Sequence, residues 1–177
     1  MKEKIDWKCY ATLISKSIRK GILITSSFEG KTNTMTIGWG ALGFDWSRPI
    51  FIAFVRKSRF TAPLILNSKE FTINIPLDDD KKDILNYLGT ESGRNEDKIK
   101  KMNLTLVPGN EIKAPGIKEF PLTLECKVLY YDLQDTSKLP NDIKERYYPN
   151  VNDENKMLNA EPHYVIYGEI VDSYIIK

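Results

Sequence analysis

The chain has 177 residues, a length that suits one domain spanning 1–177 with its own core and gives no prior for two. Its 41% hydrophobic and 28% charged residues are those of an ordinary soluble protein, and 26 basic against 24 acidic residues leave a net charge of +2, so no global field favours nucleic acid or a membrane. One histidine and two distant cysteines, Cys9 and Cys126, exclude a metal-ligand cluster or a disulfide framework and predict two reduced thiols in a cytoplasmic protein.

Met1 to Asp6 is charged and the longest apolar runs reach about six residues, so neither a signal peptide nor a transmembrane helix is expected. Residues 1 to 20 are amphipathic, with Trp7, Tyr10, Leu13, Ile14 and Ile18 at helix-like spacing, and predict a short helix or a loose lead-in. Gly21 to Ser27 is an apolar run ending in hydroxyls. The turn chemistry of Glu29-Gly30-Lys31 joins it to the hydroxyl-rich stretch that follows, which predicts a hairpin. After a turn at Asp45 to Pro49, the continuous apolar run Ile50 to Val55 is expected to be a central strand buried on both faces.

Phe60 to Asn67 reads as a short helix, and the clean alternation of Phe71 to Ile75 as a half-buried strand stopped by Pro76. Asp78 to Leu88 opens on three aspartates and closes on Gly89, which predicts a surface helix with a glycine C-terminal cap. Asn95 to Met102 predicts a further helix capped by Asn95, and Leu104 to Leu106 a brief strand. Leu122 to Tyr130 alternates throughout, with Leu122, Leu124, Cys126, Val128 and Tyr130 facing inward. Asp132 to Pro162 is polar and proline-punctuated, with one helical turn near Asn141 to Tyr147; a connection this long is usually a flap, a partner contact or disorder. His163 to Ile176 is strand-rich and interrupted by Gly168. Together these elements are mainly β with short helices, an antiparallel barrel with peripheral helices, and the βα alternation of a doubly wound sheet is missing.

Two kinds of chemistry coincide between Asn33 and Thr61. Asn33 to Gly40 is rich in small residues and hydroxyls, which lets backbone approach a flat or phosphorylated ligand and offer donors. Arg56-Lys57-Ser58-Arg59-Phe60-Thr61 then sets cations and hydroxyls after a buried strand, where a helix begins, a combination that suits a phosphate. The same residues could form a solvated strand end. Gly38-Trp39-Gly40-Ala41-Leu42-Gly43 spells G-x-G-x-x-G, but it leads into a strand rather than a helix, and no acid stands between Asp45 and Glu70. That is not a dinucleotide fingerprint, and the glycines instead predict a close backbone approach or a bulge.

Thr34-Met35-Thr36 before Gly38-Trp39-Gly40, then Asp45-Trp46 with Arg48-Pro49, Arg56 to Thr61 and Phe71-Thr72-Ile73-Asn74 follow an order that resembles the flavin reductase-like family, in particular its flavoredoxin branch. The likeness continues through Ser92-Gly93-Arg94 with Asp97-Lys98, Leu124 to Val128, and His163 with Gly168 to Val171. It implies an FMN-binding split β-barrel, usually a homodimer with flavin near the subunit interface. By that likeness Asn33, Thr34, Met35, Thr36 and Trp39 would contact the ring and ribityl chain, many through backbone atoms. Arg56, Ser58, Arg59 and Thr61 would bind the phosphate, and His163 would lie close to a nicotinamide. Trp39-Gly40-Ala41 departs from the serine-rich run of two-component reductases, which favours tightly held FMN.

Taken by themselves, Trp39 also suits a barrel filler and the lone His163 a structural or solvent-facing position. Tyr147, Tyr148 and Tyr164 fit either the site or a dimer contact. Three functions are therefore expected to compete: an oxidoreductase that passes electrons from NAD(P)H through FMN to flavin or another acceptor, an electron carrier reduced by a partner protein, and a non-redox ligand-binding barrel. No hydrolase motif is visible.

Overall fold

The apolar runs become strands of one antiparallel sheet. The computed structural model describes residues 1–78, 80–149 and 161–177. Asp79, one of the three aspartates, and residues 150–160 of the long polar connection lie outside the described residues. In chain order the strands are β1 (Lys2–Lys4), β2 (Ile22–Phe28), β3 (Lys31–Ile37), β4 (Gly40–Asp45), β5 (Arg48–Arg56), β6 (Glu70–Ile75), β7 (Leu106–Val107), β8 (Gly116–Ile117), β9 (Leu122–Leu133) and β10 (His163–Ile176). The helices are α1 (Ala11–Lys20), α2 (Thr61–Ser68), α3 (Lys82–Thr90), α4 (Lys98–Lys101) and α5 (Asn141–Tyr147).

The main sheet runs β3-β2-β6-β9-β10-β5-β4, with β1 added to β10 and β7-β8 forming a separate pair. Every pairing is antiparallel. The sheet is not closed: β3 and β4 have a strand neighbour on one side only among the described residues, which makes the barrel split. Inside it, Phe51, Phe71, Leu124 and Cys126 are completely buried, joined by Ile14 and Ile18 of α1 and Ile65 of α2. Each such side chain contributes about 1.5–3 kcal/mol by leaving water. Cys9 is exposed, Cys126 is buried, and both are free. No helix among the described residues is long and apolar enough to cross a membrane.

Several expectations change for identifiable reasons. β6 is buried on both faces, because its alternate polar residues find partners inside: Thr72 Oγ1 donates to Pro115 O at 2.7 Å and Asn74 Nδ2 to Thr123 Oγ1 at 3.2 Å. Tyr130 points outward, 47% exposed, not inward. Opposite it the register jumps from Tyr167↔Tyr130 to Gly168↔Val128, so Leu129 is an extra residue, and a bulge of one residue reverses the alternation beyond it. β5 buries Phe51, Ala53 and Val55 completely, whereas Ile52 and Phe54 on its other face are only half-buried.

The expected caps also move. α3 starts at Lys82, beyond the aspartates, and runs through Gly89 to a C-cap at Glu91. Asp97, not Asn95, caps α4, its side chain accepting from Lys100 N at 3.0 Å. Of the G-x-G-x-x-G glycines, Gly40 makes the close approach, since a Cβ there would lie 2.9 Å from Phe51 Cζ; the stretch beyond it is strand β4.

Candidate functional site

A groove follows the open edge of β3. Two cavities of about 140 and 180 Å³ share Met35 and Arg59 along their walls, which makes one elongated depression. Asn33, Ser58, Phe60, Thr61, Gly93, Arg94 and Lys98 line one end, and Gly38, Trp39, Phe54, Arg56 and His163 the other. Because β3 pairs with β2 alone, its other edge leaves peptide groups unpaired in a sheet ladder, which suits a flat polar ligand.

At the first end, the chain leaves β5, turns through 57–60 and enters α2. Asn33 Nδ2 donates to Thr61 Oγ1 at 2.7 Å, tying β3 to the first residue of α2, and both side chains are buried. The turn at 92–94 docks onto this pair: Arg94 Nη1 donates to Ser58 O at 2.7 Å, and its guanidinium lies 5.6 Å from the Phe60 ring centre. Gly93 is required there, since a Cβ would fall 2.2 Å from Asn33 Oδ1 and 2.8 Å from Phe60 Cδ1. Beneath the turn, Lys98 is 2% exposed and donates to Leu88 O at 2.9 Å. Burial first, then repulsion from Arg59, lowers its pKa to about 8.

Ser58 is engaged elsewhere. Its backbone N–H donates to Glu161 Oε2 at 3.0 Å and its hydroxyl to Glu161 Oε1, a carboxylate only 3% exposed. Thr34 is likewise turned away, its hydroxyl 2.9 Å from that of Thr25 in the barrel interior, so only its backbone is available to the groove. The Thr36 hydroxyl donates to Leu85 O at 2.6 Å.

The second end is assembled by strand register. β10 pairs with β5 so that His163 sits opposite Arg56. The Trp39 ring, 40% exposed, stands 4.8 Å from His163 and 5.4 Å edge-on from Tyr147. Behind the imidazole, Tyr148 Oη lies 3.3 Å from His163 Nδ1 and donates to Gln134 Oε1 at 2.8 Å. Burial, then the charges of Arg56 and Arg59, push the His163 pKa down to about 4, so the ring is neutral at physiological pH.

Eight of the nine residues expected to hold a cofactor line these cavities together with His163, with Thr34 beside them on β3; the hydroxyls of Thr34, Thr36 and Ser58 are engaged elsewhere, and Arg56, expected at the phosphate, lines the ring end. Lys98, Arg94 and Gly93 belong to the stretch that carries the family likeness, but the sequence assigns them no role. Their contribution depends on α4 packing beneath a loop that lies about forty residues earlier in the sequence, which local pattern cannot reveal.

A larger depression of about 1040 Å³ lies between α1 and α3, lined by Lys16, Arg19, Lys20, Lys81 and Lys82. Its cations have local roles, since Arg19 and Lys20 sit in the last turn of α1 beside its free carbonyls and Lys81 pairs with Asp78 at 3.3 Å.

The open antiparallel sheet with peripheral helices, together with a cationic and aromatic groove along its open edge, places the chain among the split β-barrels. Residues 16–177 match the flavin reductase like domain, and the chain belongs to that family. It is 37% identical over 107 residues to an uncharacterized protein of Archaeoglobus fulgidus, a match covering 60% of this chain and 59% of that one. Among solved structures, the flavoredoxin of Desulfovibrio vulgaris superposes with a TM-score of 0.64 at 25% identity, covering 88% of this chain and 68% of the other. The flavoredoxin of Methanosarcina acetivorans gives a TM-score of 0.63 at 26% identity over 88% and 67%.

Proposed function

We propose that the groove binds FMN, with the phosphate between Arg59 and Lys98 and the ring system along Met35 to Trp39, and that the chain is an oxidoreductase working through that flavin. The observation that carries this reading is the pair of cations, Arg59 and Lys98, facing one cavity beside Arg94 and the Asn33–Thr61 hydrogen bond. A phosphate carries about two negative charges, which would cancel their mutual repulsion, and its oxygens match the fixed fork of a guanidinium.

Bound there, FMN would supply the redox chemistry, taking electrons from NAD(P)H or a reduced partner protein and giving them to flavin or another acceptor. The chain's own part is to hold and to exclude. Arg59, Lys98 and Arg94 anchor the anion, Thr61 and Asn33 fix the floor, and the peptide groups of β3 offer hydrogen bonds to the ring edge. Arg56 brings positive charge to the ring end, which would favour a reduced, more anionic ligand. Trp39, Phe54 and His163 wall that end against water.

A second reading, a tightly bound flavin reduced by a partner protein without direct NAD(P)H oxidation, is favoured by the Trp39 ring lying against His163, where a nicotinamide would have to stack. Anaerobic visible spectra of the FMN-saturated protein separate the two. Bleaching of the bound band by NADH or NADPH at catalytic speed supports the reductase, and a bound band that persists supports the carrier. Absence of binding ends both.

We further infer a cytoplasmic homodimer that uses the outer face of β4, β5, β9 and β10. Trp46 and Tyr130 are 57% and 47% exposed there, and both pack on Tyr167. Exposed aromatic area of this kind is characteristic of interfaces. Sedimentation of the wild type and Tyr130→Glu tests it, with a dimer for the first and a shift to monomer for the second.

A further inference from the structure

Gln134, near the start of the long polar connection, and Tyr148, about halfway along it, meet behind His163. The phenol has one hydrogen and two neighbours, Gln134 Oε1 at 2.8 Å and His163 Nδ1 at 3.3 Å. A carbonyl oxygen only accepts, so the phenol hydrogen belongs to Gln134. The phenol oxygen then faces the imidazole as a lone pair, and a bare Nδ1 would oppose it lone pair to lone pair. Nδ1 therefore carries the hydrogen. The ring is neutral, so one hydrogen on Nδ1 leaves none on Nε2.

We propose that Tyr148 and Gln134 are positioning residues that fix His163 as its Nδ1–H tautomer, so that Nε2 presents a hydrogen-bond acceptor to the groove and selects a ligand edge bearing an N–H or O–H donor. No hydrogen-bond partner of Nε2 stands among the described residues, and His163 lines the cavity with Met35, Trp39, Phe54, Arg56 and Arg59, which is the space this tautomer would address. The backbone supports the same arrangement, since Gln134 N donates to His163 O at 2.9 Å and locks the glutamine beside the histidine it serves. The cations at this end attract an anion, whereas the bare nitrogen repels one, so the groove prefers a ligand whose negative charge sits at the Arg59–Lys98 end and whose opposite edge is a neutral donor, such as a primary amide or a ring N–H. This deepens the proposed function and rests on it for the ligand, though not for the tautomer.

His163 is the only histidine of the chain, so its ring nitrogens give an unambiguous signal in a two-bond proton–nitrogen correlation spectrum of the nitrogen-labelled protein. The expected result near neutral pH, without flavin, is a protonated Nδ1 and an unprotonated Nε2. In Tyr148→Phe, which keeps the ring and removes the hydroxyl, the two nitrogens should shift towards an averaged mixture of tautomers. In Gln134→Glu, whose carboxylate can only accept, the wild-type pattern should persist. An Nε2–H tautomer in the wild type overturns the proposal, as does an unchanged spectrum in Tyr148→Phe or a switched tautomer in Gln134→Glu. A protein with the expected tautomers that fails to bind FMN would sink the proposed function and leave the positioning roles standing.

Discussion

At the Arg59 end of the groove, charged side chains converge on one cavity and are held by hydrogen bonds to backbone; at the Trp39 end, neutral rings pack on one another over a histidine that cannot easily take a proton. Burial lowers the pKa of both His163 and Lys98, and the same arginines add to it, Arg56 and Arg59 at His163 and Arg59 at Lys98. A field that attracts an anion also helps burial to keep the ring end uncharged. The site thus separates charge recognition from ring recognition along one groove without a second domain.

The largest expected effect comes from removing the shared cation. Arg59→Ala should weaken FMN binding by about 1.5–3 kcal/mol through the loss of charge-assisted hydrogen bonds. Flavin fluorescence quenching measures it, and unchanged affinity would remove the phosphate assignment. Restored basicity at His163 in the same variant would show that the two ends are electrostatically coupled. Gly93→Ala comes next: its methyl would meet Asn33 at 2.2 Å and Phe60 at 2.8 Å, well inside van der Waals contact, so the turn must shift. Overpacking of this kind costs about 1–3 kcal/mol, which thermal unfolding and FMN titration should both register, while the His163 tautomer should not change.

The cationic end was the more legible of the two in the sequence, because Arg59 and Thr61 lie close together in the chain and their chemistry needs no tertiary information, although Arg56, expected beside them, lines the ring end. Nothing local marks Lys98 as an anion ligand, although Asp97 as a helix cap signals that its neighbour starts a helix and is held in place. The ring end was legible only through family likeness. His163 and Arg56 are brought together by strand register, and Gln134 and Tyr148 by the fold of a connection whose sequence has no period. The misreadings of β6 and Tyr130 have physical causes of the same sort. Buried threonines and an asparagine satisfy one another within the barrel, and a single bulge at Leu129 reverses which face comes outward.

A smaller effect separates the ends by pH. Lys98, lowered to about 8, is charged below that value in the free protein and loses its proton above it. A bound dianion favours the protonated form, so binding takes up a proton at higher pH, and FMN affinity should be level just below pH 8 and fall above it, by at most about tenfold per unit. Calorimetric titrations across that range should show the fall in wild type and its disappearance in Lys98→Met. His163, at about 4, contributes no inflection between pH 5 and pH 8. An inflection from an imidazole near its ordinary value would mean that the ring end carries charge after all.

The smallest effect on affinity is expected at Ser58, although it stands next to Arg59 in the same loop. Its hydroxyl and amide are both donated to Glu161, and a hydroxyl with one hydrogen cannot serve a phosphate as well. Ser58→Ala should therefore change FMN affinity by less than about 1 kcal/mol, below the range expected for Arg59→Ala. It should nonetheless lower stability by about 1–3 kcal/mol, because the buried Glu161 carboxylate loses a donor. The opposite pattern, a large loss of affinity with little change in melting temperature, would mean that FMN displaces Glu161 from the loop. In that case Glu161→Gln, which weakens the internal competitor, should bind flavin more tightly than wild type. Measuring the two variants side by side tells whether the carboxylate supports the anion site from behind or occupies it until a phosphate arrives.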